Sequence, residues 1–95
     1  MSMKESYQKK LQAQLDEWSA DIDKLKAKAD KAEADTKLEF HQKVEELKEK
    51  RAAANAKLTE LKAASDDAWE DLKTGAESAW LSLGESVKSA TSRFK

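Results

Sequence analysis

His41 is the only histidine in the chain and the first candidate for chemistry. Glu45 follows four residues later, so on a helix the two side chains share a face and could supply two metal ligands. A zinc site needs a third ligand at least, and nothing of matched spacing provides one in a chain without cysteine. His41 is therefore read as a solvated surface residue, and no metal or cofactor is expected. Carboxylates are plentiful, but 19 acids interspersed with 18 bases belong on solvated helix faces, where they keep ordinary acidity. No concave pocket is implied for general acid–base work. The chain also lacks a Gly-rich phosphate loop and a nucleophile elbow. These residues point to a protein that is not an enzyme and takes no small-molecule substrate.

The elements that would position any site are more legible than the site. Leu11, Leu15, Trp18, Ile22, Leu25, Ala29 and Ala32 stand alternately three and four apart, and the spacing resumes with Phe40, Val44, Leu47, Ala54, Leu58 and Leu61. A 3.5-residue repeat keeps one stripe on one side of a slightly underwound helix, which can be buried only against another helix. Proline is absent and only two glycines occur, Gly75 and Gly84. With Ser2 and Glu5 spaced as a capping box, the pattern predicts one long helix from about residue 3 to 64. The outer face carries Glu→Lys pairs four apart at Glu5/Lys9, Glu33/Lys37, Glu39/Lys43 and Glu46/Lys50, each adding about 0.3 kcal/mol.

The seam has one stutter and two weak layers. From Thr36 to Phe40 the step is four residues where three was due, which locally unwinds the supercoil. Ala29, Ala32 and Thr36 make a thin layer, and a hairpin turn near Ala34 to Thr36 is the main alternative to a continuous helix. Arg51 places a charge at an a position, where it either fixes register or snorkels from a loose seam. The composition changes around Ala63 to Asp67. Ser65, Asp66 or Asp67 could cap a new helix there, giving a bend or turn, with an unbroken helix as the alternative.

The last third repeats every 11 residues: Ala68-Trp69 recurs as Ala79-Trp80, Leu72 as Leu83, and Ala76 as Val87. Trp69, Leu72, Trp80, Leu83, Val87 and Phe94 fall on one stripe, within an arc of roughly 80° at 100° per residue. Among the large apolar residues of this segment only Leu81 points elsewhere. The opposite face is Ser-rich, and each glycine weakens the helix by about 1 kcal/mol relative to alanine. Such a stripe either packs against other helices or inserts into lipid-packing defects.

The expected organisation is thus all-α: residues 1–65 as a heptad-repeat coiled-coil helix and residues 66–95 as an amphipathic helix, assembled as a hairpin or bundle and as an oligomer. Leu11, Leu15, Trp18, Ile22, Leu25, Phe40, Val44, Leu47, Leu58 and Leu61 would form the oligomer seam, too thin for one chain to bury alone. Formal net charge is −1 over 95 residues, with no basic stripe, so nucleic acid is not an expected partner. The start MSMKESYQKK lacks the apolar run of a secretory signal, and cytoplasm is the default expectation.

Three stretches carry a family resemblance: KLQAQLDEWSADIDKLKAKADKAEAD, then EELKEKRAAANAKLTELKAAS, then DAWEDLKTGAESAWLSLGESVKSATSRFK. Together they resemble a family of small bacterial coiled-coil proteins whose members are labelled hypothetical or stress-response proteins. The likeness covers nearly the whole chain, and its most specific part is AWEDLKTGAESAW with the terminal SRFK. It implies a bacterial, cytoplasmic, helical protein associated with stress, with no catalytic residues to carry over. Self-association is the leading functional expectation, with reversible binding of the C-terminal stripe to a membrane or other lipid surface as the alternative.

Overall fold

A computed structural model describes residues 3–93, and these form three helices and no strands. Helix α1 spans Met3–Lys31, α2 spans Ala34–Ala63 and α3 spans Trp69–Arg93. The expected capping box at Ser2, and Phe94 on the C-terminal stripe, lie outside the described residues. Cross-helix contacts give the topology. The Lys4 ammonium reaches the Ala64 carbonyl and His41 lies 3.5 Å from Asp30, so α1 and α2 run antiparallel. Lys50 donates to the Ser86 hydroxyl while Arg93 pairs with Glu39, so α2 and α3 are antiparallel too. Consequently α1 and α3 are parallel, and α2 packs more extensively against each of them than they pack against each other.

The single helix expected over residues 3–64 is divided at Ala32–Glu33. An unbroken helix of that length would measure roughly 90 Å, whereas the longest dimension of the molecule is 51 Å. No residue here adopts positive φ; Glu33 turns extended, at φ −67° and ψ 155°, and gives α2 no side-chain cap. Local chemistry therefore does little to stop α1. The turn forms because folding back lays the Leu11–Ala29 seam on the Val44–Leu61 seam, and the thin alanine layer is where least burial is lost by breaking the helix. Helix dipoles assist, with Lys28 and Lys31 in the last turn of α1 and Asp35 in the first turn of α2. The hairpin anticipated as an alternative thus lies just before the stretch proposed for it.

The second break falls where composition changed. Helix α2 ends at Ala63, and the Ser65 hydroxyl accepts a hydrogen bond of 3.2 Å from the Ala68 N–H, while Ser65 O accepts from Ala68 and Trp69. Of the three candidate caps, the serine serves. Lys4 brings its positive charge to the C-terminal end of α2, where it complements the dipole.

One core runs the length of the bundle. Ile22, Leu47, Leu58, Leu61, Leu83 and Val44 are its largest fully enclosed side chains. All three helices contribute, so the seam expected to need a second chain is covered by this chain's own α3. Arg51 sits half-buried at the α1–α2 edge beside Gln12, Asp16 and Asn55, at the rim of the seam rather than in it, a position that suits snorkelling.

A candidate docking groove between the first and third helices

The looser packing of α1 on α3 leaves a cleft of about 440 Å³ along their shared edge. Its floor is aromatic and apolar: Trp18, Leu11 and Trp80, with Leu81 on the rim. Lys10 and Gln14 border it from α1, and Glu77 and Glu85 from α3. Two details fix the register of the walls. The Trp80 indole N–H donates to the Leu11 carbonyl at 3.2 Å, a buried cross-helix bond. Further along, Trp18 approaches α3 so closely that a Cβ at Gly84 would stand 2.9 Å from its Cζ2.

Glycine at position 84 is therefore a condition for the groove, while Gly75 has open space around its Cα. The two glycines should respond oppositely to alanine. Gly75→Ala is expected to stabilise by about 1 kcal/mol through helix propensity alone. Gly84→Ala must displace Trp18, and overpacking of this kind costs about 1–3 kcal/mol, enough to cancel the gain and leave a net loss. Urea melts followed by circular dichroism read both changes. A stabilised Gly84→Ala protein with unshifted Trp18 emission would contradict the close approach.

An aromatic cluster closes the groove at the start of α1. The Tyr7 and Trp69 rings are 5.9 Å apart and tilted by 45°, and the Lys73 ammonium stands 5.1 Å from the Tyr7 ring centre and 5.8 Å from that of Trp69. These distances allow a cation–π contact with both rings. The Tyr7 hydroxyl donates to Glu77 at 3.2 Å. Burial, then the Glu77 charge and this hydrogen bond, push the Tyr7 phenol from its ordinary 10.0 up to about 12. Because the folded value lies above the unfolded one, the stabilisation linked to Tyr7 is complete below pH 10 and is lost as pH rises from about 10 to 12. Tyr7 is the only tyrosine, so phenolate absorbance titrates it alone: a midpoint near 12 when folded and near 10 in denaturant is expected. Glu77→Gln should lower the folded midpoint.

The other sequence candidates are distributed as follows. Leu11, Leu15, Ile22, Leu25, Val44, Leu47, Leu58 and Leu61 are buried, while Trp18 and Phe40 are half-buried against the core. On the C-terminal stripe Trp69, Trp80, Leu83 and Val87 are buried and Leu72 is half-buried. His41 faces Asp30 rather than Glu45, and among the described residues no three His, Cys, Asp or Glu side chains converge on a metal position. Tyr7 was missed by the sequence reading, although it lies four residues before Leu11 and so continues the seam upstream.

The molecule is thus a three-helix bundle with one partly open flank. No protein-family model, curated protein or solved structure matches the chain. No helix among the described residues is long and apolar enough to cross a membrane.

Proposed function

We propose that this chain is a non-catalytic helical interaction protein that acts by self-association. The observation carrying this reading is the α1–α3 groove, aromatic at its base and rimmed by Leu81, which is 67% exposed. The groove combines an apolar base with an exposed leucine at its rim, and that edge is the contact surface in this reading. The bacterial, cytoplasmic and stress-associated setting belongs to the same proposal and rests on the resemblance carried by AWEDLKTGAESAW and SRFK. Light scattering after size exclusion tests the central claim. A mass above the 10.6 kDa of one chain, rising with concentration through the micromolar range, supports it. A mass of one chain at every concentration would refute it.

A second reading is reversible attachment of α3 to a membrane or other lipid surface. It is favoured by the amphipathic stripe and by the smaller contact of α3 with α1. Trp69, Trp80, Leu83 and Val87 are enclosed in the bundle, so insertion requires α3 to detach, and affinity falls by the free energy of opening. Vesicle titration in a Trp18→Phe background separates the readings. Self-association without lipid predicts no blue shift of tryptophan emission at any lipid composition.

A further inference from the structure

We infer that the α1–α3 groove seats a second copy of this chain, related by a two-fold axis parallel to the helices, so that α1 of each copy lies over α3 of the other. The inference rests on the self-association proposed above and names its face and geometry. Three observations carry it. The first is where exposed apolar surface lies. Among the described residues Met3, Leu38 and Leu81 are the exposed large hydrophobic ones, and two of them flank this face: Leu81 rims the groove, and Met3 lines a depression that adjoins it through Tyr7 and Lys10. No other described part of the chain covers either of them.

The second observation is charge. The Leu11–Trp80 bond and the Trp18–Gly84 contact set the relative heights of the two helices, and at that register Lys10 is level with Glu77, Gln14 with Leu81, and Asp21 with Lys88. Asp21 stands seven residues after Gln14, and Lys88 seven after Leu81, so each extends the same edge by two turns. A two-fold axis parallel to the bundle leaves height unchanged. Each α1 residue then meets the α3 residues of its own level in the other copy. Lys10 falls opposite Glu77, and Asp21 opposite Lys88, twice over by symmetry. An axis perpendicular to the helices would set α3 against α3; centred on Leu81, it brings Glu77 onto Glu85 and places like charges together. With Leu81 at the centre of the contact, charge therefore favours the parallel arrangement. Asp21 and Lys88 are in no ion pair within the chain among the described residues.

The third observation is size. The molecule is 51 Å long and 19 by 18 Å across, so a contact along one whole side is bounded by a silhouette of roughly 1,000 Å², which leaves room for the ~800 Å² per partner of a standard stable interface. A face-to-face dimer along this side would place Leu81 near its centre and the Lys10–Glu77 and Asp21–Lys88 pairs at its margin, an apolar centre with a charged rim as such interfaces are built.

Sedimentation equilibrium on the full chain tests the inference with four variants. Leu81→Glu should raise the dimer dissociation constant by about a hundredfold, since symmetry counts the loss twice. Leu38→Glu, an equal change away from the groove, should leave it within about twofold. Asp21→Lys and Lys88→Asp should each weaken self-association, and an equimolar mixture of the two should restore it as a heterodimer, because each new like-charge pair becomes an opposite pair. Circular dichroism confirms that each variant keeps its helix content. If the wild-type chain dimerises but Leu81→Glu does so equally well, or the mixture shows no preference, this geometry is wrong while self-association stands on another face. If the wild-type chain remains at one mass throughout, both proposals fall, and a Trp18 emission shift on phosphatidylglycerol-containing vesicles would then assign the groove to lipid.

Discussion

Trp80→Ala is expected to destabilise the chain by about 3–5 kcal/mol, the cost of emptying a large aromatic site in a close-packed core. Trp80 is only 4% exposed and touches both the core and the floor of the groove. Its truncation removes buried area, opens a cavity between α1 and α3 and deletes the bond to the Leu11 carbonyl. A domain of this length has a total stability of roughly 5–14 kcal/mol, so one substitution removes a large part of it. Trp80→Phe separates the contributions. Phenylalanine keeps most of the apolar volume but cannot donate, and the lost hydrogen bond costs about 1 kcal/mol. The carbonyl left behind still accepts within α1, which keeps that cost at the low end. Urea unfolding monitored at 222 nm is the appropriate measurement, since fluorescence changes with each tryptophan removed. A loss below 1 kcal/mol for Trp80→Ala would mean that α3 is not docked through this indole.

How much of this was legible beforehand depends on which interaction decides each feature. Burial periodicity is local, and Ile22, Leu47, Leu58 and Leu83 lie on the stripes it defines and are enclosed. Near Ser65 the sequence leaves a bend and an unbroken helix both open; a hydroxyl next to two aspartates is a cap signal, and Ser65 does cap. The turn at Ala32–Glu33 carried no cap signal, only the thin alanine layer and the stutter beside it. Lys31-Ala32-Glu33-Ala34 is a good helix-forming stretch without glycine or proline, and the helix stops there only because two seams meet when it does. Propensity was overridden by tertiary burial. The same omission made the seam look too thin for one chain: its thickness was judged for two helices, and α3 supplies the third side.

Gly84 shows a different limit. In the sequence it was a residue off the stripe that weakens a helix. In the structure it is the place where Trp18, from a helix 66 residues earlier, lies against the α3 backbone. Spacing within either helix could not reveal that pairing, since it depends on the register between two helices with no direct connection. The Tyr7, Trp69, Lys73 and Glu77 cluster is of the same kind. Leu81 was the reverse case. Its departure from the stripe could be read directly, and its exposure on the groove rim follows.

Ile22→Ala carries the second large expected effect and also distinguishes burial within one chain from burial between chains. Ile22 is 0% exposed and lies within α1, well away from either end. Truncating a fully enclosed isoleucine to alanine costs about 2–5 kcal/mol. Leu38, at 68% exposure, is the matching control: Leu38→Ala should change stability by no more than about 0.5 kcal/mol, as surface substitutions do. Hydrophobicity is nearly the same at the two positions, so the contrast measures position alone. If Ile22 packs against this chain's own α2 and α3, the loss is the same at every protein concentration below the dimer dissociation constant, and the urea slope is unchanged. If the seam were instead closed by a second chain, the midpoint of the wild-type protein would climb with concentration, by mass action, until the dimer formed. Melts of both variants at three dilutions spanning two orders of magnitude decide it. A concentration-dependent midpoint in the Leu81→Glu background, where the groove is blocked, would place Ile22 between chains and overturn the intramolecular bundle.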